Sequence, residues 1–566
     1  MKKIGVYLTI LVLVVALVPN AQAATPGEGQ VSQGGPEQEF VVVYAEGVSL
    51  DAAHAAIATA GGQIVKENDR VGVATVRTSR PDFVVAARQQ TALLGVVRNV
   101  SIGHVPLNGR PRRDDVERLE QERKASKEQQ AQAQKGAMHF GQKNVEPLAS
   151  LQWDMAMIHA TADGSYRKQV GDRRVLVGVI DTGIDGSHPD IAPNFNRELS
   201  RNFTTDIPAI DGPCEYPSCV DPADVDNDGH GTHVAGIIAA ALNGLGTAGV
   251  APGVTLVNIR AGQDSGFFFL QPTIDALTYA GDIGVDVVNM SFYTDPWLYN
   301  CPNNPDDSPE AQQEQRTIIV ATQRAVTYAR LHGVTLIAAL GNEHTDLGNP
   351  TFDDTSPDYP LGTAYPRTVN NTCLDMPVEA LGVIGVSALG PSGRKAYYSN
   401  YGVEQTDVSG PGGDYYDLYG TPAYGTPGNM ILAPYPQSVA IANGDLNPDG
   451  TPNNPFVIQD CQKGVCAYYQ YLQGTSMAAP HAVGVAALIV SEHGNKDPFH
   501  KGGLTLSPFL TEFFLRQTAT NTPCPEPRLF TYPGIPPAYN ASCTGSARFN
   551  GFYGSGIVDA LRAVSH

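Results

Sequence analysis

The chain has 566 residues, enough for a large core and more than one domain. Asp plus Glu outnumber Lys plus Arg by 57 to 37, a net charge of −20. That argues against nucleic acid and anionic membranes as partners, since both call for a basic face. In chain order, residues 1–23 read as a signal peptide: Lys2 and Lys3, an apolar stretch from Ile4 to Val18, then the small-residue site Ala21-Gln22-Ala23. The apolar stretch, about 15 residues, is short for a spanning helix. No cysteine follows it to carry a lipid, and no later apolar run is long enough to span a bilayer. A secreted, extracellular, soluble protein is expected.

Residues 24–37, rich in Gly, Pro and Gln, form a flexible spacer. Residues 38–106 then alternate in type. Glu39 to Tyr44 reads as a strand, and Leu50 to Ala60 as an alanine-rich helix stopped by Gly61-Gly62. Two strands within Gln63 to Arg77, a helix over Asp82 to Leu94 and a strand over Val96 to Val105 complete a βαββαβ order, which is ferredoxin-like. Residues 107–147 change character. From Arg118 to Gln134 charged and amide residues alternate with nothing apolar at helical spacing, so an exposed charged linker is expected.

From residue 148 to 566, continuous apolar runs at Val175 to Ile180, Val254 to Ile259, Val285 to Met290, Val334 to Ala339 and Leu381 to Ser387 read as strands buried on both faces. Helical stretches such as Thr273 to Asp282 and Thr317 to Leu331 lie between them, which predicts an α/β domain built on a doubly wound, mainly parallel sheet. All eight cysteines fall in this part, and an even number suits disulfides in an exported protein. Pairing is formally open. Short separations suggest Cys214–Cys219, Cys461–Cys466 and Cys524–Cys543, leaving Cys301–Cys373. Zinc is the competing reading, disfavoured because the C-x4-C spacings lack a nearby histidine pair.

Three segments carry chemistry. Gly474-Thr475-Ser476-Met477-Ala478 leads into a helix of small apolar residues, with Pro480 read as part of its first turn, so Ser476 is placed near unpaired backbone N–H groups. A hydroxyl needs a base to become a nucleophile. His230-Gly231-Thr232-His233 offers one, and Asp181, directly ending the run Val175 to Ile180, offers a carboxylate at a strand's carboxyl end, where open sheets place their ligands. Neighbouring Asp185, Asp190 and His233 are rival candidates, of which none ends a strand or opens the motif. The order Asp, His, Ser with all three local strings resembles the subtilisin-like serine proteases, the subtilase family.

The resemblance implies a subtilisin-like peptidase domain at 148–566, with Ser476 as nucleophile, His230 as general base and Asp181 as its orienting carboxylate. It also implies that 38–106 is an inhibitor and chaperone-type propeptide and that 107–147 holds the maturation cleavage; a permanent accessory domain is the alternative for 38–106. Asn342, in Leu340-Gly341-Asn342-Glu343, matches the family's oxyanion asparagine, and Ser291, Phe292, Gly341 and Glu343 fall at the positions of its substrate-binding segments. Phe292-Tyr293-Thr294 departs from the family's leucine and two glycines, which leaves the side-chain preference open; Glu343 would favour a basic group or stand as a solvated rim carboxylate. Regions near 294–316, 344–373 and 413–470 read as long loops around the cleft. No cofactor is needed for this chemistry. Structural calcium is open: Asp224 to Gly229 and Asp445 to Gly450 imitate an EF-hand opening but have Ala235 and Phe456 where the bidentate Glu belongs, so the metal ligands stay unknown.

The function expected is a monomeric, self-processing serine endopeptidase that acts on protein or peptide substrates and carries its own propeptide as intramolecular inhibitor. The rival is a catalytically silent binding protein on the same scaffold; an acid-acting serine–carboxyl peptidase would have Glu where His230 stands.

Overall fold

The computed structural model describes residues 37–99, 117, 146–500 and 502–565. The signal peptide, the spacer up to residue 36, residues 100–106 and the linker with its cleavage site, Glu117 and 146–147 apart, lie outside the described residues.

Four strands, β1 (Gln38–Tyr44), β2 (Gln63–Asn68), β3 (Val73–Thr78) and β4 (Leu93–Asn99), form an antiparallel sheet in the order β2-β3-β1-β4. Helix α1 (Leu50–Ala60) starts where the Ser49 hydroxyl accepts from Ala52 N and ends at Gly61 in the left-handed region. Helix α2 (Phe83–Arg88) is shorter than its apolar content predicts, because Leu93 is already needed in β4 opposite Tyr44. Alternation along β1 explains its uninterrupted apolar sequence. Phe40, Val42 and Tyr44 face Ile57 and Phe83 in the unit's own core, while Val41 and Val43, with Val73 and Val97, belong to the core of the larger domain. Polar contacts extend this contact: Asn68 Nδ2 donates to Asp275 Oδ1 at 2.9 Å and Arg324 Nη1 to the Tyr44 carbonyl at 2.9 Å.

The larger domain contains β5 (Leu176–Ile180), β6 (Arg201–Asn202), α3 (His230–Ala239), β7 (Thr255–Arg260), α4 (Leu270–Asp282), β8 (Val287–Met290), α5 (Pro309–Leu331), β9 (Thr335–Ala339), β10 (Val383–Leu389) and β11 (Val408–Pro411). The seven strands run β11-β10-β9-β8-β5-β7-β6 and every pair is parallel. This is the doubly wound α/β fold that the apolar runs imply. The edge strands β6 and β11 are too short to show in the sequence. The sheet is buried on both faces, with α4 and α5 on one side and α3 and α6 (Thr475–His493) on the other.

Three expectations change. The region 294–316 is not all loop: α5 begins at Pro309, with the Ser308 hydroxyl accepting from Ala311 N and proline in the first turn. The region 413–470 holds an antiparallel sheet of β12 (Ile431–Pro434), β13 (Val457–Gln462) and β14 (Val465–Leu472), whose hairpin is clipped where Cys461 faces Cys466. Pro480 lies in the second turn of α6, inside the helix. Having no N–H, it leaves the Ser476 carbonyl to accept the Ser291 hydroxyl at 3.1 Å.

The insertions are tied down. Cys301 is bonded to Cys373, and the other disulfides join Cys214 to Cys219 and Cys524 to Cys543. Beside the first, the fully buried Arg367 donates to Asp353 Oδ2 at 2.6 Å, Asp307 Oδ2 at 3.1 Å and Gln315 Oε1 at 3.0 Å, with its guanidinium over the Trp297 ring. Removing one partner of such a cluster strands charges that water cannot reach. Arg367→Ala is expected to cost about 3–5 kcal/mol, seen as a lower thermal unfolding midpoint; the surface change Arg174→Ala should leave that midpoint nearly unmoved.

Candidate active site

Asp181 stands at the carboxyl end of β5, between β7 and β8, and is fully buried. Its main-chain oxygen accepts from Ala261 and Gly262 N, which fixes the turn out of the strand. Its Oδ1 accepts from Thr182 N at 2.8 Å and meets His230 Nδ1 at 2.7 Å. A carboxylate there keeps the ring proton on Nδ1 and turns Nε2 toward the cleft. His230 is the first residue of α3, and the cap before it, Gly229, has φ +99°; a Cβ there would come within 2.4 Å of the Tyr435 ring. Glycine is what that approach allows.

Ser476 is in the first turn of α6, its Oγ donating to the Ser291 carbonyl at 3.4 Å. Asn342 follows β9. Its Oδ1 accepts from Thr475 N at 2.9 Å and from Thr475 Oγ1 at 3.0 Å, so its Nδ2 must point the other way, into the cleft. A cleft of about 410 Å³ is lined by His230, Ser476, Asn342, Gly341, Ser291, Phe292 and Glu343 together, with Asp181 directly behind the histidine. The candidate catalytic, oxyanion and substrate-binding residues thus meet in one place.

His233 lies behind the cleft, its Nε2 donating to the Gln470 and Ile431 carbonyls at 2.9 and 3.2 Å, and burial pushes it down to about 3. Asp185 accepts from Ser187 and Asp190 from the Tyr469 hydroxyl, both away from His230.

Two participants were invisible in the sequence. The carboxylate of Glu117, from the charged linker, is buried in the cleft: its Oε2 lies 3.3 Å from His230 Nε2 and its Oε1 accepts from Asn342 Nδ2 at 3.2 Å. Its backbone oxygen accepts from Gln473 N at 3.2 Å. Burial works to lower the His230 value, but the charges of Asp181 and then Glu117 prevail and hold it well above the ordinary histidine range. The second is Asp375, a buried residue of the cleft lining. Neither belongs to a motif; Glu117 is one acid among many in its run.

In the two EF-hand-like loops, aspartates bond nearby protein donors. Asp226 accepts from Gly229 N and from both Thr232 donors, and Asp449 accepts from Thr451. A different set, Asp206, Glu215, Asp221 and Asp264, brings one carboxylate oxygen each within 4.8 Å of one another. Arg260 already bonds Asp221 Oδ2 and Asp264 Oδ1 at 2.7 Å each and lies 3.9 Å from Asp206. Both Asp206 oxygens are nevertheless buried with no hydrogen-bond donor. Burial, then the charge of Asp221, pushes Asp206 up to about 6. Asp206 and Asp221 are buried, Asp264 is half-buried and Glu215 is exposed, so three acids face the single guanidinium of Arg260.

Comparison with known proteins gives concordant results. The pattern of the subtilase family (Peptidase S8) matches residues 172–556. Fervidolysin from Fervidobacterium pennivorans is 27% identical over 360 residues, 62% of this chain and 40% of its own. The nisin leader peptide-processing serine protease NisP from Lactococcus lactis subsp. lactis is 29% identical over 349 residues, 61% of this chain and 45% of its own. The chain thus spans less than half the length of these two relatives. In fold, the epidermin leader peptide processing serine protease EpiP from Staphylococcus aureus superposes with a TM-score of 0.58 at 19% identity, over 93% of this chain and 98% of that one. The family match takes in all three segments that meet in the cleft, and the chain belongs to the subtilase family.

Proposed function

We propose that the chain is an exported serine endopeptidase, made as a precursor that cuts itself and is held latent by its own N-terminal segment. The observation that carries the reading is the 2.7 Å contact of Asp181 with His230 in a cleft shared by Ser476 and the fixed amide of Asn342. In the reaction His230 Nε2 takes the Ser476 proton as Oγ bonds to the substrate carbonyl carbon. The carbonyl oxygen, now negative, is met by Asn342 Nδ2 and the Ser476 N–H. The imidazolium, steadied by Asp181, returns the proton to the leaving amine, and water then releases the acyl group by the same steps in reverse. Side chains supply every proton movement, so the scheme uses no cofactor. Ser476→Ala is expected to lower peptide hydrolysis on the order of a millionfold and to leave the precursor uncut, checked by peptide assay and gel. A Ser476→Ala chain that still matured in isolation would refute the nucleophile.

Latency is supported by Glu117 and by the docking of residues 38–99 on α4 and α5. With Glu117 in place, the oxyanion amide is engaged and His230 is held as imidazolium, which cannot act as a base. A raised histidine value means the pair persists at low pH and is lost as pH climbs through that value. Glu117→Gln removes one of the two charges raising it. Precursor processing followed from pH 5 to 9 should therefore begin at lower pH and run faster in Glu117→Gln; identical time courses would count against the latch.

Export is supported by the N-terminal sequence and the four disulfides. Among the described residues no helix is long and apolar enough to cross a membrane. The Asp206 cluster suits a structural calcium ion, a hard cation that takes several oxygen ligands, carboxylates among them, in flexible geometry. In the inactive Ser476→Ala chain, millimolar calcium should raise the unfolding midpoint, and Asp206→Asn should abolish most of that rise without lowering the midpoint measured in EDTA.

A further inference from the structure

We propose that the cleft selects a basic side chain, lysine or arginine, on the amino side of the bond to be cut, with Glu343 and Asp375 as its charge partners; this rests on the peptidase reading above. Gly341, Asn342 and Glu343 line the cleft with Ser476, so a residue whose carbonyl meets Ser476 Oγ and Asn342 Nδ2 has that wall within reach of its side chain. Five carboxylates line this cleft, those of Glu117, Asp228, Glu343, Asp358 and Asp375, and His230 is the sole basic side chain among the described residues that line it.

Two of those acids are held in place by the fold. Asn400 Nδ2 donates to Glu343 Oε2 at 2.6 Å, and Asn400 Oδ1 accepts from Glu343 N at 3.1 Å. Gly341 is in the left-handed region at φ +95°, and a Cβ on it would lie 2.6 Å from Glu343 Oε2. The missing side chain is what lets that carboxylate sit against the cleft wall. Asp375 is buried two residues after Cys373, whose disulfide anchors the inserted loop, and its N–H is bound by Glu379. Glu343 and Asp375 line the same cleft, together with Ser476 and Asn342.

An apolar side chain entering there would strip water from these carboxylates and give nothing back. A lysine or arginine compensates the charge and lays its aliphatic stem along apolar surface. Phe292 and Leu298 provide that surface, Phe292 being stacked on Phe268 with ring centroids 4.1 Å apart. Phe292, where the family has leucine, thus supplies a hydrophobic flank. The acids supply the selection.

The test uses the matured enzyme and peptide coumarylamides identical except for Arg, Lys, Leu or Phe before the scissile bond, with active enzyme counted by fluorophosphonate titration. The expected kcat/KM for Arg and Lys exceeds that for Leu and Phe by about tenfold or more. Glu343→Gln, and separately Asp375→Asn, should cut the Arg-to-Leu ratio by about tenfold. A wild-type preference for Leu or Phe, or a ratio unmoved in both variants, overturns the inference while leaving the peptidase reading intact. A matured chain that neither takes up the phosphonate nor cleaves any of the four substrates overturns both.

Discussion

One hydrogen bond sets the terms for the rest of the domain: Asp181 Oδ1 to His230 Nδ1, 2.7 Å long, with the carboxylate fully buried. A buried carboxylate is costly unless its charge is met, so the fold has to bring the imidazole to it rather than leave the aspartate in water. The parallel sheet provides the aspartate at a strand end, and the bare Gly229 lets the chain pass Tyr435 so that α3 begins on the histidine. Opposite, Thr475 orients Asn342 and Ser291 supports the first turn of α6, where Pro480 has left a carbonyl in need of a donor. Asp181 is thus held to His230, and the first turn of α6 to Asn342 and Ser291, by these few polar contacts.

The electrostatics of the cleft point in one direction. Carboxylates come from the linker, from the segment before α3, from the end of β9 and from the inserted loops. Glu117 works in that setting as a ligand of the catalytic groups themselves, engaging the amide that would stabilise the oxyanion and the imidazole that would take the proton. The same negative cleft that favours a cationic substrate residue would repel Glu117 but for those two donors. Its hold is therefore tied to the protonation of His230, as is expected of a charge pair cut off from water.

The insertions that lengthen the domain are built as walls. Arg367 gathers Asp307, Asp353 and Gln315 with no access to solvent, and the Cys301–Cys373 bond closes the same region. Thr355, Asp358, Leu361 and Asp375 of that region line the cleft. A rigid buried cluster behind them fixes where their charges point, which a mobile loop would average away.

Sequence alone determined a good deal. Continuous apolar runs marked five strands of the sheet, because residues buried on both faces cannot alternate, and Asp181, His230, Ser476 and Asn342 were legible because each sits in a short local string beside an element boundary. The two edge strands, the early start of α5 and the sheet formed by β12 to β14 were not, since short edge strands, hairpins within a polar insertion and polar helix turns owe their existence to neighbours rather than to their own composition. Only the tertiary structure brought Glu117, Asp375 and the Asp206 cluster into play. A carboxylate gains its role from the charges around it, and those come from residues far away in the chain, which local pattern does not record.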